Sequence, residues 1–211
     1  MLSDRLRNGL RATIVAGTLV CVVGCGKSAH VNQTFIVAID RSGSTDKFRA
    51  QQLDQMDTVA TAAIADNCAL EVWSFDSTPI NLWGPRVPES SHSLDTIKRK
   101  EFRPDGTLAV RHVTRPALLL EAIAHHVQLN HLAQPNVLIL SDGDSEVPSD
   151  AAKFASEGRT LAQIPGIRIA VIGISAENRK VWEHVFTPLL GNRFQMAGHS
   201  EADALLTACL Q

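Results

Sequence analysis

Short apolar runs alternate with helix-forming segments from residue 33 onward, and this alternation limits the fold more than any other feature. Continuous apolar strands separated by helices are typical of a parallel sheet covered on both faces. We therefore predict an α/β fold, doubly wound, with a mainly parallel six-stranded sheet, one short antiparallel edge strand and helices on both faces. The predicted strands are residues 34–39, 68–75, 79–83, 137–140, 167–174 and 193–196, and the predicted helices are 46–66, 114–129, 150–163, 177–190 and a closing helix from about 200.

Two stretches depart from this regular alternation. Residues 79–83 follow the strand 68–75 too closely for a crossover helix, so we expect a hairpin there, and Pro79 suits an edge strand. Residues 89–113 are charged and lack a clear period, so no element is predicted for them. The helix that follows is expected to begin with Thr114 as its N-cap and Pro116 in its first turn.

The first 24 residues are predicted to be a signal peptide. Three arginines precede an apolar stretch, residues 12–23, that is too short to be a permanent membrane span. This stretch ends at Gly24-Cys25, which resembles a bacterial lipobox, where cleavage occurs before the cysteine and lipid is attached to its sulfur. The alternatives are an ordinary signal peptide or a single membrane anchor. The expected organisation is a signal peptide over 1–24, a lipidated tether over 25–32 and one domain over 33–211.

Composition narrows the class of protein. Cleavage before Cys25 leaves 187 residues (211 minus 24), enough for the core of one domain. The net charge of −2 provides no basic surface of the kind that binds nucleic acid. With Cys21 removed and Cys25 lipidated, Cys68 and Cys209 remain. In an oxidising compartment they can form a disulfide, or they can be two small buried hydrophobic residues, and their spacing does not decide between these alternatives.

Oxygen-bearing side chains follow the predicted strands at three places. Asp40, Ser42 and Ser44 come directly after the first strand, Thr114 stands at a helix start, and Asp142 follows the strand 137–140. The carboxyl ends of parallel strands form the ligand-binding edge of such sheets. Carboxylates and hydroxyls are hard donors that suit Mg²⁺, Mn²⁺ or Ca²⁺. We expect Ser42 and Ser44 to bind the cation directly, and Asp40 and Asp142 to bind it directly or through water.

Such a site carries little negative charge, so its cation can still attract a carboxylate from another molecule. The order Asp-x-Ser-x-Ser at 40–44, then Thr114, then Asp142-Gly143, resembles the von Willebrand factor A-type (VWA) domain. The likeness covers residues 33–211. It implies a metal-ion-dependent adhesion site (MIDAS) with Asp40, Ser42, Ser44, Thr114 and Asp142 as ligands.

The threonine ligand has two candidates. Family members usually carry Gly-Thr shortly before an Ala-Leu pair in the helix. Thr114 has the right distance to Ala117-Leu118 but lacks the glycine, whereas Thr107 follows Gly106 but lies seven residues earlier. We prefer Thr114, because a ligand must lie where the helix begins.

Three classes of function are compatible with these residues. The first is a divalent-metal-dependent binding module, lipid-anchored in the bacterial envelope and facing the periplasm or the exterior, whose protein partner donates an acidic side chain to the metal. The second is a VWA scaffold with a degenerate metal site that acts through another surface. The third, a hydrolase, is disfavoured because no Gly-x-Ser-x-Gly or phosphate-binding glycine loop is present. We expect no enzyme activity, a monomer, and membrane contact through lipid only.

Overall fold

The computed structural model describes residues 33–102, 113–145 and 150–210. The predicted signal peptide and tether, Cys25 and Thr107 lie outside these stretches. None of the helices within them is long and apolar enough to cross a membrane. The strands are β1 Thr34–Asp40, β2 Ala69–Phe75, β3 Ile80–Arg86, β4 Pro135–Leu140, β5 Arg168–Ile172 and β6 Phe194–Ala197, and the helices are α1 Arg49–Ala65, α2 Asp95–Glu101, α3 Pro116–Leu129, α4 Ala151–Ala162, α5 Ala176–Leu190 and α6 Ala202–Cys209.

The strands form one sheet in the order β3-β2-β1-β4-β5-β6. β1 pairs in parallel with β2 and β4, and β4, β5 and β6 continue in parallel, whereas β3 returns antiparallel beside β2. The predicted six-stranded, mainly parallel sheet with an antiparallel edge strand is confirmed. β3 is as long as β1 and β2, because its pairing continues beyond Trp83 to Arg86.

Each face of the sheet buries its own apolar core. Side chains of α3, α4 and α5 pack on one face, where Trp182 and Phe186 are among the largest fully buried residues. Side chains of α1 and α6 pack on the other face, together with Leu94 and Phe102. Because β1 is central, both faces of Phe35–Ile39 are buried, which explains its continuous apolar sequence.

Three expectations about helices are corrected. Helix α2 lies in a stretch for which none was predicted; none of its own residues is fully buried, so it carries no apolar period. The N-cap of α3 is Arg115 rather than Thr114. Residues 43–48 form a 3₁₀ helix before α1, so the regular helix begins at Arg49 rather than 46.

Candidate metal centre

The carboxyl ends of β1 and β4 lie side by side where the order of the strands changes direction. Ile39 pairs with Leu140, so Asp40, the last residue of β1, is level with Ser141, the first residue after β4. In doubly wound folds, ligands bind in the crevice at this switch point. The structure therefore places Asp40, at the end of β1, and Asp142, just after β4, at one edge of the sheet.

Asp40 is fully buried and accepts two short hydrogen bonds. The backbone N–H of Ser42 donates to its Oδ1 at 2.8 Å, and the hydroxyl of Ser141 donates to its Oδ2 at 2.6 Å. The hydroxyl oxygens of Ser42 and Ser44 lie 3.0 Å apart. Ser42 is buried while Ser44 is exposed, so this group of oxygens reaches from the interior to solvent.

A polar network behind Asp40 fixes the loop that carries these oxygens. The Thr45 hydroxyl lies 3.0 Å from the Asp40 carbonyl, and the Arg49 guanidinium also donates to that carbonyl. Gln52 accepts from Arg49 at 2.9 Å and donates to the Leu140 carbonyl at 3.0 Å, which connects this loop to β4. None of these three residues was predicted from the sequence to belong to the site. Their spacing of four and three positions, typical of one helix face, was the available signal.

The loop after β4 is also held by specific hydrogen bonds. The Asp142 carbonyl accepts from the Ser175 N–H at 2.9 Å and from the Asn178 side chain at 3.2 Å, while one carboxylate oxygen accepts from the Asp144 N–H at 3.1 Å. The Asp142 side chain is half-buried. It can therefore meet a group that approaches from solvent.

Burial dominates the electrostatics of the Asp40 carboxyl. Burial raises the pKa of the Asp40 carboxyl to about 6; hydrogen bonds from Ser141 and Ser42 lower it, and the negative charge of Asp142 raises it further. A buried carboxylate next to a second one is unfavourable unless a cation neutralises them. The charge balance of the pocket therefore suits a bound cation.

Thr114 is fully buried, and its Oγ1 has no hydrogen-bond partner in the described part of the chain. The N–H of the next residue, Arg115, donates to the Asp76 carbonyl at 3.0 Å, so Thr114 lies at the carboxyl edge beside the end of β2. Buried hydroxyls are normally satisfied. An orphaned oxygen at this edge fits the role of a ligand.

The arginines around this edge are already paired. Arg41 contacts the carboxylates of Asp76 and Glu101, each at 3.2 Å. Arg115 makes two hydrogen bonds to Asp150, at 2.7 and 2.9 Å, which lower the pKa of that carboxyl. These arginine side chains therefore stabilise the loops that carry them.

Within residues 33–102, 113–145 and 150–210, no group of three or more His, Cys, Asp or Glu side chains is placed to hold a metal, so hydroxyls must complete any site here.

Cys68, Cys209 and His126 lie away from the candidate metal centre. Cys68 is buried, Cys209 is half-buried, and both are free thiols. Burial raises the pKa of each thiol. His126 packs edge-on against Trp73 and its Nε2 lies 2.9 Å from a carboxylate oxygen of Glu71, a buried residue that the sequence analysis did not single out.

No protein-family model matches this sequence, and no curated protein matches it. Solved structures do match. Proximal thread matrix protein 1 from the mussel byssus, solved with a zinc-occupied MIDAS motif, superposes with a TM-score of 0.59 at 16% identity over 85% of this chain. Manganese-loaded TRAP protein from Plasmodium vivax gives a TM-score of 0.58 at 19% identity over 85% of this chain and 74% of its own. This chain has the VWA-type fold.

A bacterial structure supports the same fold over nearly its full length. BatB from Bacteroides thetaiotaomicron has a TM-score of 0.59 at 13% identity, covering 84% of this chain and 95% of its own. By contrast, this chain spans 47% of the mussel protein. In the VWA-type fold of this chain, Asp40, Ser42, Ser44, Thr114 and Asp142 all lie at the carboxyl edge of the sheet.

Proposed function

We propose that this protein is a divalent-metal-dependent protein-binding domain, used in adhesion or assembly and tethered to the bacterial envelope through lipid on Cys25. One observation carries the proposal: Asp40 and Asp142 follow adjacent strands at the switch point, close enough for the charge of Asp142 to act on Asp40, and the hydroxyls of Ser42 and Ser44 lie at the same edge. This donor set contains only oxygen and only two carboxylates. It suits Mg²⁺, or Mn²⁺ or Ca²⁺ in its place.

The protein groups have separable roles in this proposal. Ser42, Ser44 and Thr114 supply neutral oxygens, and Asp40 and Asp142 supply negative charge directly or through water. A bound divalent cation would keep a coordination position for a carboxylate oxygen of the partner. Ser141, Arg49 and Gln52 act as positioning residues that hold the loops before any ligand arrives.

Structural neighbours support binding as the class of function. The mussel protein carries zinc at its MIDAS motif, the Plasmodium vivax protein is manganese-loaded, and SpaC from Lactobacillus rhamnosus GG is a pilus adhesin. The superposition with SpaC has a TM-score of 0.58 at 11% identity. It covers 84% of this chain and 30% of SpaC. A hydrolase is less well supported, because no described histidine makes a hydrogen bond to Ser42 or Ser44.

The chain direction suits an anchored binding module. β1 runs from Thr34 to Asp40, so the predicted tether joins the edge of the sheet opposite the proposed metal centre. A lipid on Cys25 would therefore be attached through the edge of the sheet that does not carry the metal centre, which leaves that centre accessible to a partner.

Thr114 and Thr107 can be distinguished by replacing each with valine, which keeps the shape and removes the hydroxyl. We expect Thr114→Val to weaken Mg²⁺ binding by about tenfold, because one hydroxyl ligand to a cation is worth roughly 1 to 2 kcal/mol. Thr107→Val should leave binding unchanged. Mg²⁺ titration followed by tryptophan fluorescence measures this, since the Trp182 indole donates to the Gly143 carbonyl beside Asp142 at 3.1 Å. The opposite ranking would transfer the ligand role to Thr107.

Partner capture from bacterial envelope extract tests the binding function. Immobilised full chain should retain a protein with 5 mM Mg²⁺ and release it on chelation, and Asp142→Ala should retain none. Asp54→Ala, which removes an exposed carboxylate on α1, is the matched control and should behave as wild type. Retention that is the same with and without metal would favour the degenerate scaffold, acting through another surface.

A further inference from the structure

The edge of the sheet opposite the proposed metal centre contains a polar cavity, which we call the basal notch. Strands β4, β5 and β6 begin there, and the end of α6 covers it. The cavity measures about 240 Å³ and is lined by Asn136, Arg168, Arg193, Gln195 and Cys209, among others. A wider opening of about 490 Å³ shares Asn136, Arg168, Arg193 and Cys209, and extends to Gln33 at the start of β1.

The strand pairing explains why these polar side chains meet. Asn136 on β4 pairs directly with Arg168 on β5. Two residues further along β5, Ala170 pairs with Gln195 on β6. Side chains alternate between the two faces of a strand. Two positions on from Asn136, Leu138 belongs to the core under α6. The basal notch is thus the polar start of an otherwise apolar face.

Asn136 is the most informative residue of the notch. The residue is only 6% exposed, and its Nδ2 is buried without a hydrogen-bond partner in the described part of the chain. A buried amide donor left unsatisfied destabilises the folded protein. Asn136 lines both openings, so a rotation of its buried amide toward the notch would pair it with a ligand that carries acceptor oxygens.

The charge of the notch identifies the kind of acceptor. Arg168 and Arg193 form no ion pair with any described residue; Arg193 makes one hydrogen bond, to the Ile167 carbonyl at 3.3 Å. One carboxylate, Asp66, lines the wider opening only. The end of α6 adds about half a negative charge from its carbonyl groups. Two guanidinium charges outweigh these contributions, so the smaller cavity is positive.

We propose that the basal notch binds a phosphate group through Arg168, Arg193 and the Nδ2 of Asn136. Guanidinium groups match phosphate oxygens with paired, charge-assisted hydrogen bonds, and the amide supplies a third donor. Free phosphate and the headgroup of an anionic phospholipid share this chemistry. If the chain is anchored at Cys25 as proposed above, the anchor joins the domain at the same edge of the sheet as the notch, since Gln33 lines the wider opening.

Thermal unfolding of the full chain in neutral maltoside micelles tests this site. Sodium phosphate is titrated against sodium chloride at equal ionic strength, without divalent cations, and the melting temperature is read from tryptophan fluorescence. Phosphate should raise the melting temperature of the wild type. Arg168→Gln should weaken the response by about tenfold or more, whereas Arg159→Gln, an exposed arginine on α4, should respond as wild type.

Asn136→Leu separates a binding role from a structural one. It should melt at the same or a higher temperature than wild type without phosphate, because the unsatisfied amide is gone, and it should lose the phosphate response. Equal responses of Arg168→Gln, Asn136→Leu and wild type would overturn the proposal. These outcomes do not depend on Mg²⁺, so they are independent of the proposed metal centre.

Adding lipid to the micelles separates the two sources of phosphate. If phosphatidylglycerol raises the melting temperature, phosphatidylcholine does not, and Arg168→Gln loses the effect, a lipid headgroup is a ligand. If only inorganic phosphate raises the melting temperature, the notch is a free phosphate site. An unchanged melting temperature with both probes would overturn the proposal.

Discussion

Asp40→Asn is expected to make the metal-free protein more stable while abolishing its response to Mg²⁺. Burial raises the pKa of Asp40 to about 6, so ionising this carboxyl in the folded protein is unfavourable. The gap from an unfolded value near 3.9 corresponds to about 2 to 3 kcal/mol at pH 7.5. Asparagine keeps an acceptor for the Ser42 N–H without the charge. The melting temperature without metal should rise by roughly 4 to 12 °C.

The pH dependence gives this prediction a second readout. The folded pKa lies above the unfolded one, so the contribution of Asp40 to stability is fully present below about pH 4 and is lost as the pH rises through 6. The advantage of Asp40→Asn should therefore be large at pH 7.5 and vanish at pH 4. Asp54→Asn, at an exposed position, should change neither stability nor metal response. A metal-free Asp40→Asn protein that melts below wild type at pH 7.5 would contradict this account.

Glu71→Ala is expected to produce the largest loss of stability in the sheet. Glu71 is fully buried, and its carboxylate accepts from Trp73 Nε1 at 2.9 Å and Asn81 Nδ2 at 3.0 Å and contacts His126 Nε2 at 2.9 Å. Removing the carboxylate leaves the buried Trp73 indole N–H, and the half-buried Asn81 and His126 side chains, without this partner. We expect a loss of about 3 to 5 kcal/mol in the free energy of unfolding, measured by urea denaturation.

An exposed ion pair provides the comparison for Glu71. Glu121 contacts Lys153 at 2.7 Å, but both side chains are well exposed to solvent, so Glu121→Ala should cost less than about 1 kcal/mol. Glu71→Ala should keep the Mg²⁺ response of wild type, because Glu71 lies away from the metal edge. Equal losses for the two variants would show that the Glu71 cluster does not stabilise the sheet.

The strands could be predicted because burial on both faces makes them continuous apolar runs, as in Phe35–Ile39. Helix α2 could not be predicted, since it contributes little apolar surface of its own. The buried residues that pack it against the core, Leu94 and Phe102, flank the helix. Glu71 was also beyond prediction. It sits inside an apolar strand, and its partners Asn81 and His126 are brought to it only by the hairpin and by α3.

The candidate site divides in the same way. Asp40, Ser42 and Ser44 are close in sequence and follow a recognisable strand, so their grouping could be predicted from a local motif. Ser141 donates to Asp40 across two strands that are far apart in the chain, and this contact depends on the register of β1 against β4. The predicted N-cap of α3, Thr114, was wrong because Pro116 indicates the first turn of the helix but does not specify which preceding residue caps it.

Water proton relaxation during Mn²⁺ titration tests the metal centre most directly, because paramagnetic Mn²⁺ reports both binding and the exchangeable water it retains. We expect one saturable Mn²⁺ site per full chain, with at least one rapidly exchanging water on the bound ion, and loss of this site in Asp142→Ala but not in Asp54→Ala. Mn²⁺ binding that is absent in the wild type, or unchanged in Asp142→Ala, would contradict the proposed metal centre.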